Sequence, residues 1–169
     1  PNILSARFEA APLADVAANR EPFVFINISI LTPRKGIDVL LKGFAKSSKN
    51  DGSTRLLIGG DGEQRHALEL LAEKLGISAQ VEFLGALSRD EVVSAVANSH
   101  AYVLTSHIET FGVAVIESLA LGKPVIVTRC GGPESFVRIA EGLVIPVNDA
   151  NALASAMIAI KNKYDDYEG

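Results

Sequence analysis

Phe23-Val24-Phe25-Ile26-Asn27-Ile28-Ser29, the turn Pro33-Arg34-Lys35-Gly36, and then Ile37, Val39, Leu40, Leu41 and Phe44 form the stretch whose reading decides the fold. The first run is apolar at nearly every position instead of at alternate ones. That is the pattern of a strand buried on both faces, as in a parallel sheet covered by helices. The last group recurs at helical spacing and suits a helix that buries one stripe. Strand, turn and helix therefore open the pattern, and the remainder of the chain repeats it.

Arg55-Leu56-Leu57-Ile58-Gly59 reads as a second strand, ended by Gly59-Gly60-Asp61-Gly62. A helix follows from Glu63 to Leu75, with Leu68, Leu71 and Leu75 on one face and Gly76 as its stop. Val81-Glu82-Phe83-Leu84 is a short strand, and Ser88-Arg89-Asp90-Glu91 looks like a capping box opening the next helix. Ala101-Tyr102-Val103-Leu104 is a strand, residues 112–121 a helix, and Pro124-Val125-Ile126-Val127-Thr128 another strand. Leu143-Val144-Ile145 is a last short strand, and Asp149 caps a helix running to about Lys163. The acidic tail Tyr164–Gly169 is expected to fray. Right-handed crossovers wind such an alternation into an α/β, doubly wound, Rossmann-like parallel sheet of about six strands, with ligands outside the strands' carboxyl ends.

Composition narrows the function classes. The 169 residues suit one domain with a full core, residues 22–169, preceded by a linker-like segment at 1–21 that lacks periodicity. With 48% hydrophobic and 21% charged residues the chain has the composition of a soluble globular protein. Net charge is -4, with the cations scattered, which argues against a nucleic-acid face or an anionic-membrane anchor. No apolar run approaches the ~18 residues of a membrane span, and no signal peptide is visible. Cys130 is the only cysteine, so an intrachain disulfide is excluded and a reducing cytoplasm is expected. His66, His100 and His107 lack ligand spacing, so no metal site is expected.

Four strand-to-helix loops hold the candidate chemistry. Arg34 and Lys35 precede a helix N-terminus, where the dipole disfavours cations by a few tenths to ~1 kcal/mol unless an anion is bound there. They are either solvated surface cations or part of a phosphate site. Gly59-Gly60-Asp61-Gly62 is either a plain tight turn or a backbone that lets a ligand approach closely; it lacks the Gly-Lys-Ser/Thr ending of a P-loop. In the third loop and its helix, Glu117 is the only charge between Gly112 and Leu121. A helix apolar all round is expected to be buried, and a buried carboxylate needs a partner, for which ligand hydroxyls are candidates. Glu109 lies just before that helix, where the dipole alone would favour it. The amides of Phe111, Gly112 and Val113 lie between the two acids and suit a phosphate. In the fourth loop, Arg129-Cys130-Gly131-Gly132-Pro133-Glu134, the glycines could flank a ligand, the dipole accounts for Glu134, and Cys130 reads as an inert thiol.

Taken in order, these residues resemble the retaining, two-domain (GT-B type) glycosyltransferases of family 4, the glycosyl transferases group 1. Pro1-Asn2-Ile3 through Phe8 is similar to that family's interdomain linker, and Leu31 through Asp38 to its Lys-Gly loop. Ile58 through Gly62 resembles its next glycine loop and Val81 through Gly85 its base-side strand. Ser106 to Glu117 matches its Glu-x7-Glu motif, with Gly122-Lys123-Pro124-Val125-Ile126 and Gly131-Gly132-Pro133-Glu134 following in the family's order. The resemblance implies the donor-binding half of a GT-B fold, with Lys35 on the donor diphosphate and Glu109 on sugar hydroxyls near the reacting carbon. It places Gly60, Leu84, Phe111, Gly112, Val113 and Glu117 around the donor, Glu117 at the ribose and Leu84 beside the nucleobase. The donor would be a UDP-, GDP- or ADP-linked sugar, transferred with retention and without an essential metal or other cofactor.

The resemblance also implies that the acceptor, and any peripheral membrane association, belong to an N-terminal domain absent from this chain, which would leave the 169 residues able to bind nucleotide but inactive in transfer. One departure stands out: the family carries Gly-Arg before the Lys-Gly loop, and here Ser29 or Ile30 takes the place of that diphosphate-binding Arg. Two other readings share the fold, a non-catalytic nucleotide-binding or assembly module and a GT-B type epimerase or phosphorylase.

Overall fold

The computed structural model describes residues 21–49 and 51–164. The linker motif around Pro1–Phe8 and the tail beyond Tyr164 lie outside the described residues. The expected alternation is present: β1 (Phe23–Ile28), α1 (Ile37–Ser47), β2 (Thr54–Gly59), α2 (Arg65–Lys74), β3 (Val81–Gly85), α3 (Arg89–Ala97), β4 (Ala101–Leu104), α4 (Val113–Ala120), β5 (Val125–Thr128), β6 (Gly142–Ile145) and α5 (Ala150–Asn162). The six strands form one sheet in the order β3-β2-β1-β4-β5-β6, and every pairing is parallel. The chain winds outward from β1 to β3, then crosses back to β4 and winds the other way. The order reverses between β1 and β4, so a crevice opens there at the strands' carboxyl ends.

Side-chain alternation along the strands divides the core in two. Phe23, Phe25, Leu56, Ile58, Ala101, Val103 and Ile126 face α1, α2 and α5, whose Leu40, Phe44, Leu68, Leu153 and Met157 cover them. Val24, Ile26, Leu57, Tyr102, Leu104, Val125 and Val127 face the shorter α3 and α4 through Ala95, Val96 and Val115. The helix ends follow the local signals. Ser88 Oγ accepts from the Glu91 amide and Glu91 Oε2 from the Ser88 amide at 2.8 Å, a complete capping box. Asp149 Oδ1 accepts from the Asn151 and Ala152 amides at 3.0 and 2.8 Å. Gly76 ends α2 with φ of 73°.

Two expectations are corrected. α4 is not buried all round: Val115 and Ser118 are buried, but Val113 is 57% exposed and Ile116 also faces outward. The helix is short and covers the sheet on one side, and among the described residues no second layer lies over it; an apolar sequence shows that a helix can be buried, not that something covers it. Tyr164 is not frayed either: it is buried, with its ring edge-on to Phe23 at 5.3 Å. Nearby, Lys161 pairs with Asp51 and reaches Ser53 Oγ and Thr54 Oγ1 at 3.0 Å each, tying α5 to the start of β2. Lys161 holds the Asp51 carboxyl well below the usual range. Among the described residues, no helix is long and apolar enough to cross a membrane.

Candidate functional site at the strand-order reversal

At the reversal the loops leaving β1 and β4 are fastened to each other. Pro33–Lys35 form a single 3-10 turn closed by Gly36, whose φ is 62°. A Cβ on Gly36 would lie 2.3 Å from the Thr105 carbonyl oxygen, so only glycine lets the turn rest on the β4 loop. Thr105 Oγ1 donates to the Lys35 carbonyl at 3.0 Å, and the His107 amide donates to the Arg34 carbonyl at 2.8 Å. Deeper in the crevice the hydroxyl of buried Tyr102 donates to the Ile28 carbonyl at 3.1 Å. These bonds fix where the Lys35 side chain leaves the backbone.

Lys35 Nζ sits 2.7 Å from Glu109 Oε2, with the two side chains only 16% and 19% exposed. Glu109 Oε1 accepts from the Thr110 amide at 3.1 Å. The hydrogen bond and charge of Lys35, helped by the Phe111 and Thr110 amides, outweigh burial and hold the Glu109 carboxyl below its ordinary range. Its backbone is pinned as well: the Glu109 amide donates to Cys130 O at 2.9 Å and its carbonyl accepts from the Gly132 amide at 2.8 Å. Gly112, with φ of 73°, turns the chain into α4. The first-turn amides of Val113 and Ala114 then have no partner within their own helix, and no acidic side chain occupies that turn. A cation, a carboxylate and a helix N-terminus thus converge across the β1–β4 gap.

The glycine loops left open by sequence have a packing explanation. A Cβ on Gly60 would fall 1.9 Å from the Ser29 carbonyl oxygen, and one on Gly132 would fall 2.2 Å from that of Thr110. Gly60 therefore shapes the β1 loop from beneath, and Gly132 supports the Glu109 loop. Glu134 accepts from the Cys130 amide at 3.1 Å and the Gly131 amide at 2.9 Å, so it organises its own loop, a role hidden behind the dipole reading. Burial pushes the Cys130 thiol up, in keeping with an inert cysteine.

Glu117 already has a protein partner, Arg89 of α3, with Nη2 to Oε1 at 2.9 Å. Arg89 is 82% exposed and Glu117 29%, so the pair is solvated and the acid is not stranded in apolar surroundings. Sequence reasoning missed Arg89, because only the folded pairing of α3 with α4 brings residues 89 and 117 together. Leu84, at the end of β3, packs half-buried against the α3–α4 side of the core. Three strand spacings, about 14 Å, separate β3 from β4, so a ligand reaching both Leu84 and Glu109 must be elongated. Neither residue at the place of the family's Arg supplies a cation: the Ser29 hydroxyl donates to Asn27 Oδ1 at 2.8 Å, and Ile30 is 66% exposed. Ser106 Oγ and His107 Nε2 are buried beside this turn and have no hydrogen-bond partner among the described residues. Also among the described residues, no group of three His, Cys, Asp or Glu side chains is placed to share a metal ion.

The family model of the glycosyl transferases group 1 matches residues 13–168. The chain belongs to that family. The lipopolysaccharide core biosynthesis glycosyltransferase LpsE of Rhizobium meliloti is 34% identical over 135 residues, which are 79% of this chain and 38% of LpsE. A GDP-mannose-dependent monoacylated alpha-(1-6)-phosphatidylinositol monomannoside mannosyltransferase of Corynebacterium glutamicum is 29% identical over 168 residues, 91% of this chain and 44% of that enzyme. The crystal structure of Anabaena Alr3699/HepE in complex with UDP and glucose superposes with a TM-score of 0.79 at 23% identity, covering 92% of this chain and 42% of that one. This group 1 chain thus has the Rossmann-like fold seen in GT-B glycosyltransferases and spans less than half the length of these relatives.

Proposed function

We propose that this group 1 domain is the donor-binding half of a glycosyltransferase that moves a sugar from a nucleoside diphosphate to an acceptor hydroxyl with retention of configuration. The observation that carries the reading is the meeting of Lys35, Glu109 and the open N-terminus of α4 at the point where the strand order reverses. In the transfer, the bond between the anomeric carbon and the diphosphate oxygen breaks, a bond to the acceptor oxygen forms, and the acceptor's proton passes to the leaving diphosphate. Negative charge collects on the leaving diphosphate, where Lys35 and the helix amides stabilise it without an essential metal. Glu109 holds sugar hydroxyls, and Glu117, steadied by Arg89, takes the ribose. The relatives support a nucleotide-linked donor by name, one through GDP-mannose and one through bound UDP and glucose; retention comes from the motif resemblance. The acceptor belongs to the part of such enzymes that this chain does not span.

Calorimetry with UDP, GDP and ADP tests the reading. One of the three is expected to bind in the micromolar-to-millimolar range, while the 169 residues alone transfer no sugar. Absence of binding by all three would remove the donor-site assignment, and robust transfer by the isolated chain would contradict the half-enzyme assignment.

A further inference from the structure

The Glu109 carboxylate holds Lys35, the cation assigned to the diphosphate, at the turn just before α4. One of its oxygens is on the Lys35 ammonium at 2.7 Å and the other on the Thr110 amide at 3.1 Å, with the Phe111 amide also directed at the carboxylate. These are the cation and the turn amides that a phosphate would otherwise find unpartnered. The arrangement is enforced by the backbone, because the Glu109 amide and carbonyl are both bonded to the β5 loop. Only the side chain is free to leave. The ion pair also offsets the charge of Lys35, so an incoming anion meets little net attraction from it.

We propose that Glu109 is a resident anion in the phosphate seat, and that donor binding is an exchange in which the diphosphate takes Lys35 and the turn amides while the displaced carboxylate turns to the sugar. The inference rests on the donor-site reading and gives Glu109 a second task, selection by charge. An anion no more charged than a carboxylate gains little by displacing one, whereas a diphosphate brings more charge and a second phosphoryl group. A complete donor also gives the displaced carboxylate hydroxyls to bind; a sugarless diphosphate leaves it facing a like charge. Removing the carboxylate should therefore strengthen binding of a sugarless ligand, the opposite of what a pure hydroxyl-holding role predicts.

Inorganic pyrophosphate is the probe, because it carries neither base nor sugar. Titrated into the 169-residue chain, it is expected to bind Glu109→Gln about tenfold more tightly than wild type, a difference of ~1.4 kcal/mol, and Lys35→Ala added to Glu109→Gln should abolish the gain. Glu109→Ala provides a second variant with the same expected direction, and thermal melts confirm that each variant is folded. Equal or weaker binding by both Glu109 variants, with Lys35 still required for the wild-type affinity, overturns the exchange and leaves the donor site standing. No pyrophosphate binding by any of the proteins overturns the exchange, and the donor-site reading falls with it only if UDP, GDP and ADP also fail to bind.

Discussion

Gly36→Ala is expected to be among the most damaging single-methyl additions to this chain, lowering the melting temperature by roughly 5–15 °C and abolishing nucleotide binding. Two costs add. A non-glycine residue held in the left-handed region costs about 1–2 kcal/mol. The new Cβ would also lie 2.3 Å from the Thr105 carbonyl oxygen and 3.2 Å from His107 Nε2, so the turn must lift off the β4 loop. For a domain of this size each kcal/mol moves the melting temperature by about 2–4 °C. Gly76→Ala separates the two costs: Gly76 has a comparable φ of 73°, but its Cβ would meet nothing within 4 Å. That variant should show the conformational cost alone and keep its nucleotide affinity. Equal melting shifts for the two variants would mean that the Lys35 turn is not held against the β4 loop.

The effect of Lys35→Ala should fall mainly on affinity. The paired side chains are only 16% and 19% exposed, so the loss leaves Glu109 to the Thr110 amide and should cost about 1–3 kcal/mol of unfolding free energy. A charged hydrogen bond to phosphate is worth about 1.5–3 kcal/mol, so nucleoside diphosphate binding should weaken by roughly 10- to 150-fold. The loss should be larger than in a family member that keeps the second cation, because Ser29 and Ile30 supply none here. Lys35→Arg retains the charge but changes its shape, and is expected to recover only part of the affinity. Calorimetry and thermal melts on the same preparations read both quantities. An affinity that survives Lys35→Ala would place the anion elsewhere.

Much of the fold was legible because its signals are local. A strand such as Phe23–Ile28, apolar at successive positions, has to be covered on both faces, and it is. The Ser88–Glu91 box and the Asp149 cap depend on neighbours only three residues away. What escaped depends on contacts between distant segments. The exposure of α4 could not be read from its apolar sequence, because the sequence does not say how many layers lie over a helix. Arg89 reads locally as part of a cap, and only the packing of α3 beside α4 turns it into the partner of Glu117. Tyr164 reads as tail in the sequence, and only the fold sets its ring against Phe23. The glycines at 60 and 132 marked places of close approach, and the approaching groups are neighbouring loops. Lys35 and Glu109 were each legible as candidates; their direct contact was not, since 74 residues separate them in sequence.

The proposed site puts the anion of a nucleotide where the β1 and β4 loops meet. Amide chemical-shift mapping of the isotope-labelled 169-residue chain, titrated with whichever of UDP, GDP or ADP binds, tests it most directly. The largest shifts are expected on residues 35–36 and 109–114, with smaller ones toward Leu84 and Glu117. Shifts that leave those residues still and gather at the strands' amino ends, around Asp51 and Lys161, would contradict it.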